Sequence, residues 1–450
     1  MPQAQIFQHT PLRNPDHEFR VVEIVEAQHD SDTQCNVLTI PLASVKHHYK
    51  ALSYLWGPET PNYTIQLDGK PFTVRENLWR FLHQAQVRFC NEPIFIDAIC
   101  IDQKNIHERN KQVQLMGKIY THADLVLSWL GEGDEDVDAA LPLIKDIAGM
   151  STHNLKHFYD GYQRRERQAV WKSVYVLKDL RYWMRVWIVQ EVLKPRLILL
   201  LYGKHEMHWK VLQTFFSRVH ETDPCPAPLP EELFSSRIAR FVQSRDVPIQ
   251  NGHSLGTMWD VLMTYGTSLC SEKRDHVFAL LSLGAGGDQL KVDYGISMPD
   301  LFMETLRLWG ASNGVNVLIL ARQLVHRLLP HDLTINETAS ETFTLKLVEV
   351  NRSSGHDLCT EASVCNTRDF SITYTSAPGN QDGKAYTDVQ IAGAHFTASA
   401  RLIQLGEIKF SKLECTDKIL QIGDTCMFLV ARQDAGEWRV TGRLVVVVTK

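Results

Sequence analysis

From Tyr49 to about Gly203, short apolar runs alternate with stretches of helical period. "ALSYLW" (51–56), "IFIDAIC" (94–100), "DLVLSWLG" (124–131) and "RLILLLYG" (196–203) each read as a strand apolar on both faces. Between them, "NLWRFLHQAQ" (77–86) puts Leu78, Phe81, Leu82 and Ala85 at i, i+3, i+4 and i+7, behind Asn77 as N-cap. The pattern predicts further helices over 108–120, 134–148, 168–178 and 182–193, the last closed by Pro195. Strands buried on both faces need a layer on each side. The alternation therefore predicts an α/β fold with a parallel sheet flanked by helices.

The pattern then changes. "DPCPAPLP" (223–230) reads as a surface linker. Residues 231–325 read as helical, with a break at "LGAGGDQ" (283–289). Residues 350–385 are polar. From "VQIAGAHFTASARLIQL" onward, β-branched runs separated by turn residues predict a small antiparallel β unit. The expected organisation is an N-terminal extension (1–45), an α/β domain (46–215), a mainly helical region (216–345) and a β-rich C-terminal region (346–450).

Composition narrows the function classes. The chain is 44% hydrophobic and 22% charged, which is ordinary globular composition. Its net charge of −5 and lack of a long basic run argue against nucleic acid as a partner. The longest apolar runs, "LILLLY" and "LVVVV", are too short to span a membrane, and the N-terminus lacks the apolar stretch of a signal peptide. The nine cysteines are scattered, with no C-x-x-C pair, so a reduced cytoplasmic setting is expected. "HEMH" (205–208) lacks zinc-helix spacing, and the acidic residues of "LGEGDED" (130–136) would repel phosphate. No metal and no resident cofactor are expected.

Polar residues inside the apolar segments are the candidates for chemistry. Asp97 interrupts an apolar run. Arg109, Gln112, Val113, Met116 and Tyr120 share one stripe of the helix that follows. An unpaired buried carboxylate costs several kcal/mol, so Asp97 is expected to meet Arg109 or backbone amides. The alternative is that both open into a pocket at the C-terminal end of the sheet, where ligands bind in open parallel sheets. Cys100 is either an inert packing thiol or a nucleophile served by His107 or His122. Trp56, before the Gly57-Pro58 turn, either covers the core edge or stacks on a flat ligand. Glu191, four residues after Trp187, either forms an ion pair, with Arg185 as one partner, or offers a carboxylate beside an aromatic surface, the pairing that cleaves sugar bonds.

"YKALSYLWG", "IFIDAICIDQ", "HERNKQVQLMGKIYTHADLVLSWLG" and "RVWIVQEV", in this order, resemble the heterokaryon-incompatibility (HET) domain of filamentous fungi over roughly residues 46–205. "RDHVFALLSL" (274–283) and "VDYGISMPDLF" (292–302) resemble segments that follow that domain. Asp102 departs from the asparagine usual there. The resemblance implies a role in fungal allorecognition and cell death. It also implies a distant relation to Toll/interleukin-1 receptor (TIR) domains, whose parallel sheet is flavodoxin-like and some of which cleave NAD at the nicotinamide–ribose bond. Trp187-Ile-Val-Gln-Glu191 matches their W-x-x-x-E spacing, which makes Glu191 the implied catalytic residue. Ser53, Tyr54, Trp56, Gly57, Asp97, Cys100, Gln103, Arg109 and Trp187 would then surround a small-molecule ligand, with NAD as substrate and self-association as the expected assembly. Two other readings stay open: a non-enzymatic self-associating module, and a HET-fold enzyme of small-molecule biosynthesis.

Overall fold

The computed structural model describes residues 5–309 except 27–32, 43–47, 134–139, 152, 156, 158–171, 173, 222–232, 235 and 247–254. Beyond 309 it describes residues 324, 327, 328 and the strands named below. The linker expected at 223–230, the first part of the helix expected at 134–148 and residues 168–171 and 173 of that expected at 168–178 lie outside the described residues; 174–178 are helical. The chain divides into two compact units, Met1–Gly295 and Ile296–Lys450.

The first unit is built on a nine-stranded mixed sheet. Its strands are β1 (Glu18–Ile24), β2 (Gln34–Pro41), β3 (Lys50–Tyr54), β4 (Asn62–Leu67), β5 (Lys70–Arg75), β6 (Pro93–Phe95), β7 (Leu125–Gly131), β8 (Ile198–Tyr202) and β9 (His205–His208). They lie in the order β5-β4-β2-β1-β6-β3-β7-β8-β9. The centre, β6-β3-β7-β8, is parallel throughout. Taken in chain order these four strands run 2-1-3-4, the flavodoxin-like arrangement. The chain leaves β3 toward β6 on one side and leaves β7 toward β8 on the other. The C-terminal ends of β3 and β7 therefore flank the topological switch point.

The helices of this unit follow from the apolar spacing. In α1 (Glu76–Arg88), Leu78, Phe81, Leu82 and Ala85 are all buried. Asn77, expected as its N-cap, instead bonds Leu55 O and the Trp129 indole, which pins the end of β3 to β7. In α3 (Ile106–His122), Asn105 caps the first turn by accepting from the Glu108 amide.

Two expectations are corrected. "IFIDAIC" is not one strand: β6 stops at Phe95, and Asp97–Cys100 forms a single helical turn, α2. Asp97 Oδ1 accepts from its neighbour's amide, Ala98 N, at 2.8 Å, and Cys100 N closes the turn on Ile96 O. A short acidic side chain that bonds adjacent backbone favours such a turn over a ladder. The N-terminal residues are not an extension. β1 lies between β2 and β6, and its Phe19, Val21, Val22 and Ile24 are fully buried.

After α4 (Ala140–Gly149), a 3-10 turn (Arg181–Met184) leads into α5 (Val186–Leu193), which is buried along its whole length. The helices α6 (Trp209–Glu221), α7 (Arg237–Asp246), α8 (Met258–Tyr265) and α9 (Asp275–Phe278) follow. The second unit holds α10 (Met298–Trp309) and strands β10 (Thr334–Ala339) to β18 (Glu437–Val445), paired antiparallel except where β15 (Phe396–Ile403) meets β18. The sheet begins at Thr334 rather than after 345. Among the described residues no helix is long and apolar enough to cross a membrane.

Candidate functional site

A buried polar cluster sits at the C-terminal end of β3. Strand β3 is flanked by β6 and β7, so Ser53 and Tyr54 are fully enclosed. Helix α5 brings Glu191 to the same point, with 1% of the residue exposed. Ser53 Oγ donates to Glu191 Oε2 at 2.7 Å. The Tyr182 hydroxyl, also 2.7 Å from Ser53 Oγ, must then be the donor to it. The result is a directed relay from Tyr182 through Ser53 to the carboxylate. Burial keeps the Tyr182 phenol well above its ordinary pKa, so it remains a donor.

The second carboxylate oxygen is different. Glu191 Oε1 has no hydrogen-bond partner, and Arg185 Nη1 stands 3.9 Å away. Burial pushes the Glu191 carboxyl from 4.5 up to about 7, with Arg185 opposing the rise and Asp97 adding to it. Such a group gains and loses a proton near neutrality, the range that general acid–base chemistry uses.

Arg185 joins the cluster to the surface. Its Nη1 donates to Tyr54 O at 2.6 Å, its Nη2 lies 3.6 Å from Asp97 Oδ2, and its side chain is 13% exposed. Asp97 also accepts from the Trp56 indole at 3.0 Å. Two guanidinium groups approach the Trp56 ring, Arg75 at 5.3 Å and Arg185 at 5.7 Å from its centroid. Gly57 closes the strand end at φ +75°, a left-handed conformation that favours glycine, and its carbonyl accepts from Arg75. Gln103 Nε2 reaches back to Asp97 O at 3.2 Å.

The structure thus gathers Ser53, Tyr54, Trp56, Gly57, Asp97, Gln103 and Glu191 at one place. Four other candidates, Arg109, Gln112, Trp187 and Cys100, have partners elsewhere. Arg109 does not pair with Asp97: its guanidinium lies over the Tyr294 ring, 3.4 Å from the centroid. The carboxylate that α3 buries is its neighbour Glu108, held by Arg20 of β1 at 2.6 and 3.0 Å. Gln112 turns toward the N-terminal segment and donates to Pro15 O and Glu18 O. Trp187 donates its indole N–H to Asp275 at 2.9 Å. Cys100 is fully buried beside Ile96 N, and burial pushes its thiol up to about 12. Asp102 accepts from Lys104 N in the turn before α3.

Sequence reasoning left Tyr182, Arg75, Arg20 and Asp275 outside the candidate set. Tyr182 and Arg185 lie either side of Trp183 and Met184 just before α5, and a tyrosine and an arginine at the mouth of a largely apolar helix were the available signal. A cleft of about 380 Å³ lined by Lys145, Leu199, Met207, Lys210 and their neighbours contains none of the cluster residues.

Residues 49–191 match the family described as "Heterokaryon incompatibility protein (HET)". This segment is a HET domain. The match begins one residue before β3 and ends on Glu191 itself. Over 355 residues the chain is 24% identical to "Heterokaryon incompatibility protein 6, OR allele" of Neurospora crassa, an alignment that covers 66% of this chain and 52% of that protein. The chain thus spans about half the length of that relative. No solved structure matches it. The HET domain contributes β3, β6 and β7 of the parallel centre, while β1 and β8 come from outside its matched limits.

Proposed function

We propose that this chain is a HET-type effector of allorecognition and cell death, and that its HET domain cleaves NAD at the nicotinamide–ribose bond. The observation that supports this is the Glu191 carboxylate: enclosed beside the switch point, half-satisfied by Ser53, and titrating at about 7. Positive charge develops on the ribose as neutral nicotinamide leaves. A carboxylate in a water-poor site stabilises that charge more strongly than one in solvent. Water then adds to the ribose carbon, and its proton is lost to the carboxylate or to solvent. Arg185 and Trp56, two of the partly exposed members of the cluster, form the rim through which a ligand would enter. Arg185 must move aside for substrate to reach Glu191.

The enclosure of Glu191 favours a second reading, a self-associating module in which the same cluster only braces the fold. Purified protein incubated with NAD, with nicotinamide followed by chromatography, separates the two. The first reading expects release by the wild type and none by Glu191→Gln, whose melting temperature is not lowered. Equal release by both forms would exclude Glu191. No release by the wild type, with Glu191→Gln melting lower because Arg185 has lost one of its two carboxylate partners, is the outcome of the second reading.

A further inference from the structure

The residues that follow the HET domain converge on the helix that carries Glu191. Asp275, in "RDHVFALLSL", accepts the Trp187 indole N–H on Oδ2 at 2.9 Å. Its Oδ1 accepts the hydroxyl of Tyr294, in "VDYGISMPDLF", at 2.7 Å. Arg109 of α3 lies over the Tyr294 ring. Ser282 Oγ donates to Gln190 Oε1 at 2.9 Å, one residue before Glu191. The fit is close: a Cβ on Gly117 of α3 would stand 2.3 Å from Ser282 Cβ. Asn110 and Gln114, also on α3, accept from the backbone N–H groups of Tyr294 and Val292.

Helix α5 has eight residues and no side-chain N-cap. A helix of two turns does not hold itself in place, so its position depends on what grips its side chains. The gripping groups are polar: Asp275 is buried and Ser282 half-buried. Asp275 is 8% exposed, and burial raises its pKa while Tyr294, Trp187 and Arg109 act to lower it. A carboxylate is a costly way to fill apolar space; held by Tyr294 on one oxygen, it fixes the indole on the other more narrowly than packing alone would.

We infer that Asp275 is a positioning residue: it fixes Trp187, and with it the turn of α5 that presents Glu191, so the working unit extends to Tyr294. The inference rests on Glu191 as the reacting carboxylate. Three variants test it. Asp275→Leu removes both acceptors at similar volume, Trp187→Phe removes only the indole N–H, and Tyr294→Phe removes only the phenol donor. Each is read by NAD turnover and by NMR titration of the Glu191 carboxyl carbon, assigned with Glu191→Gln. Folded Trp187→Phe is expected to lose roughly ten- to a hundredfold in kcat with KM within about twofold, and to shift the Glu191 midpoint. Tyr294→Phe should shift it less.

A purely structural Asp275 would lower melting temperatures and leave kcat and the midpoint as in the wild type, which overturns the inference. If the wild type does not cleave NAD, the catalytic reading fails by itself and the titration still decides: a moved midpoint supports positioning, an unmoved one overturns it. Should Asp275→Leu not fold, the two phenylalanine variants carry the same comparison.

Discussion

Arg185 Nη1 lies 3.9 Å from the Glu191 carboxylate, and its Nη2 lies 3.6 Å from Asp97. One guanidinium therefore stands between two buried acids. Arg185→Met should leave both without a cation and lower stability by on the order of 3 kcal/mol. It should also push Glu191 further toward its protonated form. Chemical denaturation checks the first effect; a loss under about 1 kcal/mol, the size of an exposed pair, would mean that water screens the cluster.

The raised Glu191 pKa predicts a pH dependence of defined sign. Between 4.5 and about 7 the folded protein keeps a proton that the unfolded chain has released. Stability should therefore fall as pH rises through that window and level off above it, by on the order of 3 kcal/mol in total. Asp275, raised by burial, and Glu108, lowered by its bonds to Arg20 and the Asp102 amide despite burial, contribute slopes of their own. The difference between wild type and Glu191→Gln isolates the Glu191 part. Glu191→Gln should become the more stable form as pH rises, measured by urea midpoints across the window. A wild type that gains on the variant with rising pH would contradict the assignment.

The Arg20–Glu108 pair is doubly bonded, and both side chains are almost fully buried. Arg20 also donates to Cys100 O and Thr10 O, so the pair ties β1, α2 and the N-terminal segment together. Glu108→Gln should cost about 3–5 kcal/mol by leaving a buried guanidinium uncompensated. The exposed Lys111–Asp16 pair is the internal control: Lys111→Ala should cost no more than about 1 kcal/mol. Similar losses in the two variants would show that Glu108 is hydrated.

Cys100 should behave as packing. With its thiol pushed up to about 12 it carries almost no thiolate at neutral pH. Iodoacetamide should label the half-buried Cys90 in the native protein and reach Cys100 only after unfolding. Cys100→Ser should keep whatever turnover the protein has. Rapid native labelling of Cys100, read by peptide mass spectrometry, would restore it as a nucleophile candidate.

Much of the α/β fold was legible in the sequence because burial on both faces leaves a local mark. The runs at 51–56, 124–131 and 196–203 became β3, β7 and β8, and the apolar spacing at 77–86 became α1. The apolar run at 94–100 misled, since a turn of helix and a buried strand carry the same composition and Asp97 alone separates them. β1 and β2 were missed although "FRVVEI" is apolar enough for a strand. Nothing local says that a hairpin near the N-terminus pairs beside a strand at residue 93.

The sequence by itself determined the strands β3, β7 and β8, the helix α1, and that Glu191 stands in a largely apolar helix behind Arg185. Those features depend on neighbours within a turn or two. Tertiary structure alone decided which charges meet. Helical spacing put Arg109 toward the sheet, yet Tyr294 holds it, while Arg20 reaches Glu108 from 88 positions away. Ser53 meets Glu191 across 138 positions, and Asp275 meets Trp187 across 88. Ion pairs and hydrogen bonds act over a few ångströms of space, whatever the separation along the chain, and that space is set by the order in which the strands pair.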